Sequence, residues 1–298
     1  MIKRTLFFSN PAYLSTKNEQ LVINFPEEGK TAKSVPIEDV GMLVLENQQI
    51  TVTNGLLSKL IKNKAAIVSC DAFHLPVSLL QPLVGHSEQA ERFKIQLDAS
   101  TPLKKNLWQQ TVGAKITNQA AHLDLLNIPT RKMYKWVNEV KSGDAENHES
   151  KAAVYYWQQL FDIPNFTRYQ HGPPPNNLLN YGYAILRGIT ARALVGSGLL
   201  PSVGIFHHNK YNAYCLADDI MEPYRIFVDV LVKEIVSKGD AFDELTTALK
   251  LQLLKIPVMD VVIENKKSPL MVALSRTTNS LYECFAGRSR KILYPGLN

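Results

Sequence analysis

The first eighty residues carry short apolar runs separated by turn residues, a pattern typical of β-strands. Residues 13–17 and 20–24 are joined by the polar pair Asn18-Glu19, and this arrangement predicts a hairpin. Residues 53–64 have leucine and isoleucine at helical spacing, and Thr53 is suited to cap the start of that helix. We therefore expect a small β-rich domain with one helix and with further strands at 4–8, 41–45 and 65–70, and we expect residues 76–82 to lead out of this domain.

From about Glu88 onward the apolar positions recur every 3.6 residues, which predicts helices through the rest of the chain. Turn-forming residues interrupt the pattern at 127–129, Gly143, 173–175 and 196–198, and they divide it into separate helices. The second part of the chain is therefore predicted to be helical, with helices at 88–98, 103–123, 130–141, 148–160, 176–196, 216–237, 240–253 and 270–284.

The change of period divides the chain of 298 residues into a β-rich domain over 1–82 and a helical domain over 83–298. With 45% hydrophobic and 20% charged residues, the chain has the composition of a soluble protein with a sizeable core. No apolar run approaches the roughly 20 residues of a membrane span, and the run after Arg4 is too short for a signal peptide. We expect a cytoplasmic protein that does not contact a membrane.

Several classes of site are disfavoured by what the sequence lacks. Cys70, Cys215 and Cys284 lie far apart without a Cys-x-x-Cys pair, so we expect buried thiols rather than a zinc or redox motif. The sequence contains no P-loop, no Gly-x-Gly-x-x-Gly and no Gly-x-Ser-x-Gly motif, which leaves P-loop nucleotidases and serine hydrolases without their local signatures.

The net charge of +6 is unevenly distributed. Residues 1–100 carry ten basic and ten acidic side chains, whereas residues 101–298 carry 23 basic and 17 acidic ones. This excess on the helical part suits a polyanionic partner, and a generally basic solvated surface explains it equally well. The segment Arg288-Ser289-Arg290-Lys291 is a basic tail, which is either frayed or laid on a phosphate surface.

Acids and histidines occur in three separate segments of the helical part. Glu149 is expected at the edge of a helix face that packs on other helices, where a carboxylate is costly to bury unless it is paired or binds a metal. Its alternative role is an interaction with the dipole of that helix. In the second segment, an apolar run ends in His207 and His208, either of which can be a ligand or an ordinary hydrogen-bonded residue.

The third segment places Asp219 and Glu222 one turn apart on a helix. Two carboxylates at this separation repel, so the pair needs a divalent metal, an arginine from elsewhere or water, unless it simply faces solvent. Pro223 predicts a kink or a restart of the helix at this point. One imidazole and two or three carboxylates suit magnesium or manganese better than zinc, and such a metal in a basic domain indicates phosphodiester chemistry.

Several of these segments, taken in order, closely resemble the CRISPR-associated integrase family, the "Cas one" endonuclease of spacer acquisition, in its type II form. The resemblance covers nearly the whole chain. It rests on Glu149 with Ala152-Ala153 and Tyr156-Trp157, on 177–187, on Gly204-Ile205-Phe206-His207 and on 219–225, together with 14–23 and 35–39.

The resemblance implies an α+β fold, in which an N-terminal β-sandwich-like domain that dimerises is followed by an all-α catalytic domain. It implies that Glu149, His207 and Glu222 bind Mg²⁺ or Mn²⁺, with Asp219 as a supporting carboxylate in the catalytic group. The Gly-x-x-His pattern selects His207 over His208. Many relatives have Asp where this chain has Glu222, a change that lengthens the side chain and keeps its charge.

The same resemblance implies that the protein inserts a captured double-stranded DNA fragment, the prespacer, into the CRISPR array. The 3′-hydroxyl of the fragment attacks a phosphodiester at a repeat boundary, and the protein works with a small second CRISPR-associated protein, "Cas two". Two other functions stay open, a metal-dependent DNA repair nuclease and a non-enzymatic DNA-binding scaffold. For DNA phosphate contacts the candidates are Arg187, Arg192, Lys210 and Arg225, with surface salt bridges as their ordinary alternative.

Overall fold

The N-terminal part of the protein folds into two four-stranded sheets, as shown by a computed structural model that describes residues 3–27, 29–239 and 241–297. The first sheet has the strand order β1-β5-β7-β8 and the second has the order β4-β3-β2-β6. The strands are β1 (Arg4–Phe8), β2 (Ala12–Lys17), β3 (Gln20–Asn24), β4 (Lys33–Pro36), β5 (Val40–Leu45), β6 (Ile50–Val52), β7 (Ala66–Cys70) and β8 (Pro76–Leu80).

The predicted hairpin is confirmed as the antiparallel pair of β2 and β3, in which Leu14 lies opposite Ile23. Its two-residue turn requires positive φ at both central positions, and Asn18 and Glu19 have φ of 49° and 55°. Leu14 and Leu21 face the core because side chains alternate along each strand. The turn therefore sets which residues of the hairpin are buried.

The strands β5 and β7 are buried on both faces, which explains why their sequences read as unbroken apolar runs. Val68 of β7 packs with the helical part of the molecule, whereas its neighbour Ile67 packs between the two sheets. Helix α1 (Asn54–Lys62) contributes Leu56 and Leu60 to the buried cluster between the two sheets. The Thr53 side chain caps the first turn of this helix, as predicted.

Helices make up most of the remaining chain, and two of them match their predicted bounds. The long predicted helix at 216–237 is divided, because the residues around Pro223 form a single 3₁₀ turn between α7 and α8. The helices are α2 (Gln89–Leu97), α3 (Thr101–Leu125), α4 (Arg131–Glu139), α5 (His148–Leu160), α6 (Asn176–Gly196), α7 (Cys215–Met221), α8 (Arg225–Ser237), α9 (Thr247–Leu253) and α10 (Leu270–Phe285).

Three expectations from the sequence are corrected by the structure. The second part is not all-α, because Asp260–Ile263 and Lys266–Pro269 form an antiparallel hairpin, β9 and β10. The helix predicted over 240–253 begins only at Thr247, where Thr246 caps it. Residues 76–80, expected to lead out of the β-rich domain, instead pair with β7 as its edge strand.

The basic tail is also ordered against the protein, which contradicts a frayed end. Arg288 pairs with Glu283, and Ile292 is buried. The Tyr294 hydroxyl lies 2.8 Å from the Thr111 hydroxyl of α3. The three cysteines are buried free thiols, as expected. In the described ranges, helices long and apolar enough to cross a membrane are absent.

Candidate active site

One face of α3 forms the inner wall of the candidate site. Trp108, Lys115, Asn118 and His122 recur at spacings of seven, three and four residues, which places them on a common helix face. Asn118 Nδ2 donates to the Pro223 carbonyl at 2.9 Å and thereby fixes the turn between α7 and α8. The helix therefore positions the acidic segment and also contributes side chains of its own.

Asp219 on α7 is fully buried, and both of its carboxylate oxygens are occupied. Oδ2 accepts hydrogen bonds from the amides of Ile205 and Phe206 at 2.7 and 3.0 Å. Oδ1 accepts from the His207 amide at 3.2 Å and lies 2.5 Å from His207 Nδ1. These contacts hold the loop before α7 and the imidazole in one orientation.

Gly204 permits the close approach of this loop to Asp219. A Cβ atom at this position would lie 2.4 Å from the His207 carbonyl oxygen and 2.8 Å from Asp219 Oδ2. Both distances are shorter than side-chain atoms tolerate. The Gly-x-x-His pattern thus has a physical reason, since glycine lets the backbone wrap around the carboxylate that orients the histidine.

Because Asp219 engages Nδ1 of His207, Nε2 is the ring nitrogen that can accept a ligand. The hydrogen bond to Asp219 raises the pKa of His207, and the charges of Glu222 and Glu149 act in the same direction, while burial opposes them. His208 is exposed, so the structure brings only the first of the two histidines to the acids.

An aromatic stack supports the loop that carries His207. Trp108 and Phe206 lie parallel with ring centroids 4.2 Å apart, and the Trp108 ring meets the His207 ring edge-on at 5.8 Å. Trp108 is almost completely buried in α3, so it provides a rigid support for the loop.

Glu149 lies in the first turn of α5, as predicted, but a different acid caps that helix. The Asp144 carboxylate accepts hydrogen bonds from the amides of His148 and Glu149, both at 2.9 Å. This leaves the Glu149 side chain free to point at α3, where its Oε1 lies 2.7 Å from Lys115 Nζ.

Glu222 opens the 3₁₀ turn between α7 and α8, and its side chain is only 6% exposed. Its Oε2 lies 2.7 Å from Lys115 Nζ and its Oε1 lies 2.9 Å from Arg225 Nε. Burial disfavours the charged carboxylate, but Arg225 and Lys115 outweigh it and lower the pKa of Glu222. Oε2 makes no hydrogen bond of good geometry among the described residues, although the ammonium is close.

The two acids predicted to share a cation, Asp219 and Glu222, have different partners. Asp219 is satisfied by His207 and the backbone, whereas Glu222 shares Lys115 with Glu149. In 3–27, 29–239 and 241–297, no three His, Cys, Asp or Glu side chains are grouped so that they could hold a metal ion. The side chains that converge instead are Glu149 and Glu222, with a lysine ammonium between their oxygens.

The four candidate phosphate-binding residues occupy different surroundings. Arg187 donates two hydrogen bonds to Asp218, at 2.6 and 3.0 Å. Arg192 donates to the Lys64 carbonyl and so faces the N-terminal domain, while Lys210 is exposed on a loop. Of the four, only Arg225 contacts one of the two converging glutamates, Glu222.

Beside Glu222 the structure contains a small cavity of about 100 Å³ with basic and aromatic walls. The Arg225 guanidinium lies 4.7 Å from the ring centroid of Tyr183, and Arg168 lies 5.1 Å from it. The Tyr183 hydroxyl donates to Asp229, and burial raises the pKa of this carboxyl to about 7.

Lys115 and Trp108 were not among the site residues predicted from the sequence. A detectable signal existed, because Thr111, Lys115, Asn118 and His122 form a polar stripe within a long helix, at positions that periodicity assigns to a packed face. Such polar positions in a buried stripe need specific partners. Lys115 and Asn118 find theirs on the acidic segments, whereas Thr111 and His122 pair with tyrosine hydroxyls.

The sequence is similar over most of its length to one family of known proteins. The family model described as "CRISPR associated protein Cas1" matches residues 6–252. A protein named CRISPR-associated endonuclease Cas1, from Neisseria meningitidis serogroup C (strain 8013), is 35% identical over 295 residues, which cover 98% of this chain and 95% of the relative.

Two solved structures share the fold. A casposase bound to an integration product has a TM-score of 0.80 at 18% identity, with 98% of this chain and 92% of the other covered. A Cas6-RT-Cas1–Cas2 complex has a TM-score of 0.72 at 20% identity, covering 99% of this chain and 36% of the longer one. The match of the family model and the full-length identity establish that this chain belongs to the Cas1 family of CRISPR-associated endonucleases.

Proposed function

We propose that the protein is a metal-dependent DNA endonuclease and integrase of CRISPR adaptation, which inserts prespacer DNA into the CRISPR array. The observation that carries this proposal is the convergence of Glu149 and Glu222 on one cationic position, each 2.7 Å from it, beside an oriented histidine. The Cas1 family match and the casposase-like fold support the same reaction class.

By its chemistry the donor set suits a hard divalent cation, Mg²⁺ or Mn²⁺, although Lys115 now lies between the two glutamates and the three side chains are not grouped as metal ligands. Glu149 and Glu222 supply carboxylate oxygens, and His207 supplies Nε2. The buried Glu222 Oε2, which makes no good hydrogen bond in the described part of the chain, has unused capacity for such a ligand. When bound, the metal would polarise the scissile phosphate and lower the pKa of the attacking hydroxyl.

The protein's own groups position this chemistry. Asp219 engages Nδ1 of His207 and so leaves Nε2 as the ring nitrogen that would bind a metal, and the Trp108–Phe206 stack keeps the loop in place. In the joining reaction the 3′-hydroxyl oxygen of the prespacer forms a bond to phosphorus, and the phosphorus–oxygen bond at the repeat boundary breaks. The hydroxyl proton is lost and a new 3′-hydroxyl is released, so no further reactant is needed.

Arg187, Arg192, Lys210 and Arg225 are proposed to contact DNA phosphates. Arg225 is nearest to the acids, and Arg187 would have to exchange Asp218 for a phosphate. Arg192 is the weakest candidate because the N-terminal domain already accepts its hydrogen bond.

The proposed partners are double-stranded DNA, a Cas2-like second protein and a second copy of the chain. A solved Cas6-RT-Cas1–Cas2 complex shares this fold and supports the Cas2-like partner. A solved Cas1–DNA complex also shares the fold and supports the DNA. The N-terminal domain is the proposed dimer contact, and we propose that its two sheets, which contribute to one buried cluster, form a sandwich.

The test is a joining assay with 3′-hydroxyl DNA and a supercoiled plasmid that carries the repeat, with and without the small partner. It compares Mg²⁺, Mn²⁺ and EDTA, and wild type with His207→Ala. Covalent joining that requires both metal and His207 is expected. His208→Ala is the matched control, because this neighbouring histidine is exposed and should be dispensable.

The two other functions predict different results. A repair nuclease would cleave the plasmid without joining, even with the partner present. A scaffold would bind DNA with the same salt dependence after Glu149, His207 and Glu222 are replaced, and EDTA would have no effect on it.

A further inference from the structure

Lys115 is a largely buried lysine that lies between two glutamates. Its side chain is 14% exposed, and its ammonium lies 2.7 Å from both Glu149 Oε1 and Glu222 Oε2. An ammonium this close to both oxygens neutralises two carboxylates that would otherwise repel each other.

The ammonium lies where the two acids would receive a divalent cation. Glu149 Oε1 and Glu222 Oε2, which would be carboxylate ligands of such a cation, both lie next to Nζ. A metal and an ammonium cannot share that position, since both need the same oxygens and both are positive. Lys115 has four rotatable side-chain bonds, so it can withdraw without any movement of α3.

We propose that Lys115 is a cation stand-in that holds Glu149 and Glu222 together before metal binds and competes with the metal for them. This inference rests on the proposed metal site. It makes Lys115 a positioning residue, one that acts through the two carboxylates. Lys115 weakens metal binding, but it also holds the two acids in place before any metal binds.

Lys115→Met tests the inference through metal binding rather than DNA joining. We expect Mn²⁺ to bind the variant at least about tenfold more tightly in an electron paramagnetic resonance titration without DNA, since breaking a buried ion pair costs more than the equivalent of a tenfold change. The melting temperature without metal should fall, and Mn²⁺ should raise it more than in wild type.

Two further variants keep the outcome interpretable. Lys115→Arg retains the charge and should bind Mn²⁺ no more tightly than wild type, even if Lys115→Met folds poorly. Lys135→Met is the matched control, because Lys135 pairs with a glutamate at the surface and is 73% exposed. It should leave both the Mn²⁺ affinity and the melting temperature unchanged.

The failures are distinguishable. Suppose that wild type binds Mn²⁺ and that Lys115→Met binds it equally or more weakly, or that Lys115→Arg binds it more tightly than wild type. Either result would show that Lys115 does not compete with the metal, while the proposed metal site would remain supported. If neither wild type nor Lys115→Met binds Mn²⁺, or if Glu149→Gln and Glu222→Gln leave binding unchanged, the proposed metal site itself fails and the inference fails with it.

Discussion

The two halves of the candidate site are built in opposite ways. Around Asp219 every carboxylate oxygen is used, by three backbone amides and by His207, in a place without solvent access. Around Lys115 two acids share one flexible ammonium, and Glu222 Oε2 has no good hydrogen bond within the described residues. One half is locked by folding, while the other is balanced by a charge that a ligand can replace.

The difference shows where rigidity is needed. An imidazole ligand has a single useful nitrogen once the other is engaged, so its ring must be fixed in advance. The carboxylates can rotate and still present an oxygen, so neutralising them before the metal arrives is sufficient. Variants on each side should therefore fail in different ways, and the following tests start from the largest expected effect.

Asp219→Ala should cause the largest loss, because it breaks the locked half. Removal of the carboxylate leaves buried backbone amides and His207 without their acceptor, at a cost of about 3–5 kcal/mol in the free energy of unfolding. DNA joining should be lost together with stability. Urea unfolding and the joining assay measure the two effects.

Asp218→Ala is the matched control for this change. Asp218 is the neighbour of Asp219 in α7 and is also buried, but its partner Arg187 is 47% exposed and can turn to water. The loss in the free energy of unfolding should therefore be smaller, about 1–2 kcal/mol. Equal destabilisation by the two variants would show that the Asp219 corner is not the locked element.

Glu149→Ala should abolish joining and leave the fold intact, because it affects the charge-balanced half. We expect activity to fall roughly 10³-fold or more, the scale for removal of an essential group. Lys115 keeps Glu222 as its partner, so the melting temperature should change by a few degrees at most.

Glu146→Ala provides the comparison for Glu149. Glu146 precedes the same helix and pairs with Lys141 at the surface, so both activity and stability should be retained. If Glu149→Ala instead loses the folded protein or its dimer, the role of Glu149 is structural.

Periodicity predicted most of this scaffold from sequence. The bounds of α5 and α6 agree with the structure, since each has a clear apolar face and a turn-forming segment nearby. The division at Pro223 follows from the missing amide of proline. The β9–β10 hairpin was missed because its two strands have only four residues each, too few to show a period.

The site could be predicted only in part. Motifs gave Glu149, His207, Asp219 and Glu222 as candidates, but no local pattern says that Lys115, thirty-four positions before Glu149, lies between two of them. That contact depends on how α3 packs against α5 and the turn after α7, which is a tertiary property. The contact between Asp219 and His207 is also a tertiary property that no local pattern predicts.

Gly204→Ala should disturb the locked half less than the loss of Asp219. The added Cβ clashes with the His207 carbonyl and Asp219 Oδ2, which should cost about 1–3 kcal/mol. The shift in His207 should reduce joining by roughly 10- to 100-fold, as for other changes that misorient a metal ligand. Urea unfolding and joining rates test both effects.

Gly113→Ala sets the opposite expectation for a glycine-to-alanine change. It lies within α3 with no atom inside 4 Å of the new Cβ, so alanine should stabilise the protein by about 0.5–1 kcal/mol. If Gly204→Ala is also neutral or stabilising, the loop does not depend on glycine at that point.

Asp229 gives the smallest and most specific test, a change in pH dependence next to the charge-balanced half. Burial raises the pKa of this carboxyl from 3.8 to about 7, so between these values the folded state keeps a proton that the unfolded state has lost. The contribution of Asp229 to stability is therefore full below pH 3.8 and is lost as the pH rises through about 7. Asp229→Asn should remove this contribution and flatten the fall in melting temperature between pH 4 and pH 7.

Asp243→Asn is the control for Asp229→Asn, since Asp243 is exposed and should leave the pH profile unchanged. The asparagine can still accept the hydrogen bond of Tyr183, so the variant should fold and retain joining activity. A profile for Asp229→Asn that superimposes on wild type would mean that Asp229 titrates at its ordinary pKa. The cavity beside Glu222 would then admit more water than its buried walls indicate, and the charge-balanced half would be more solvated than the locked one.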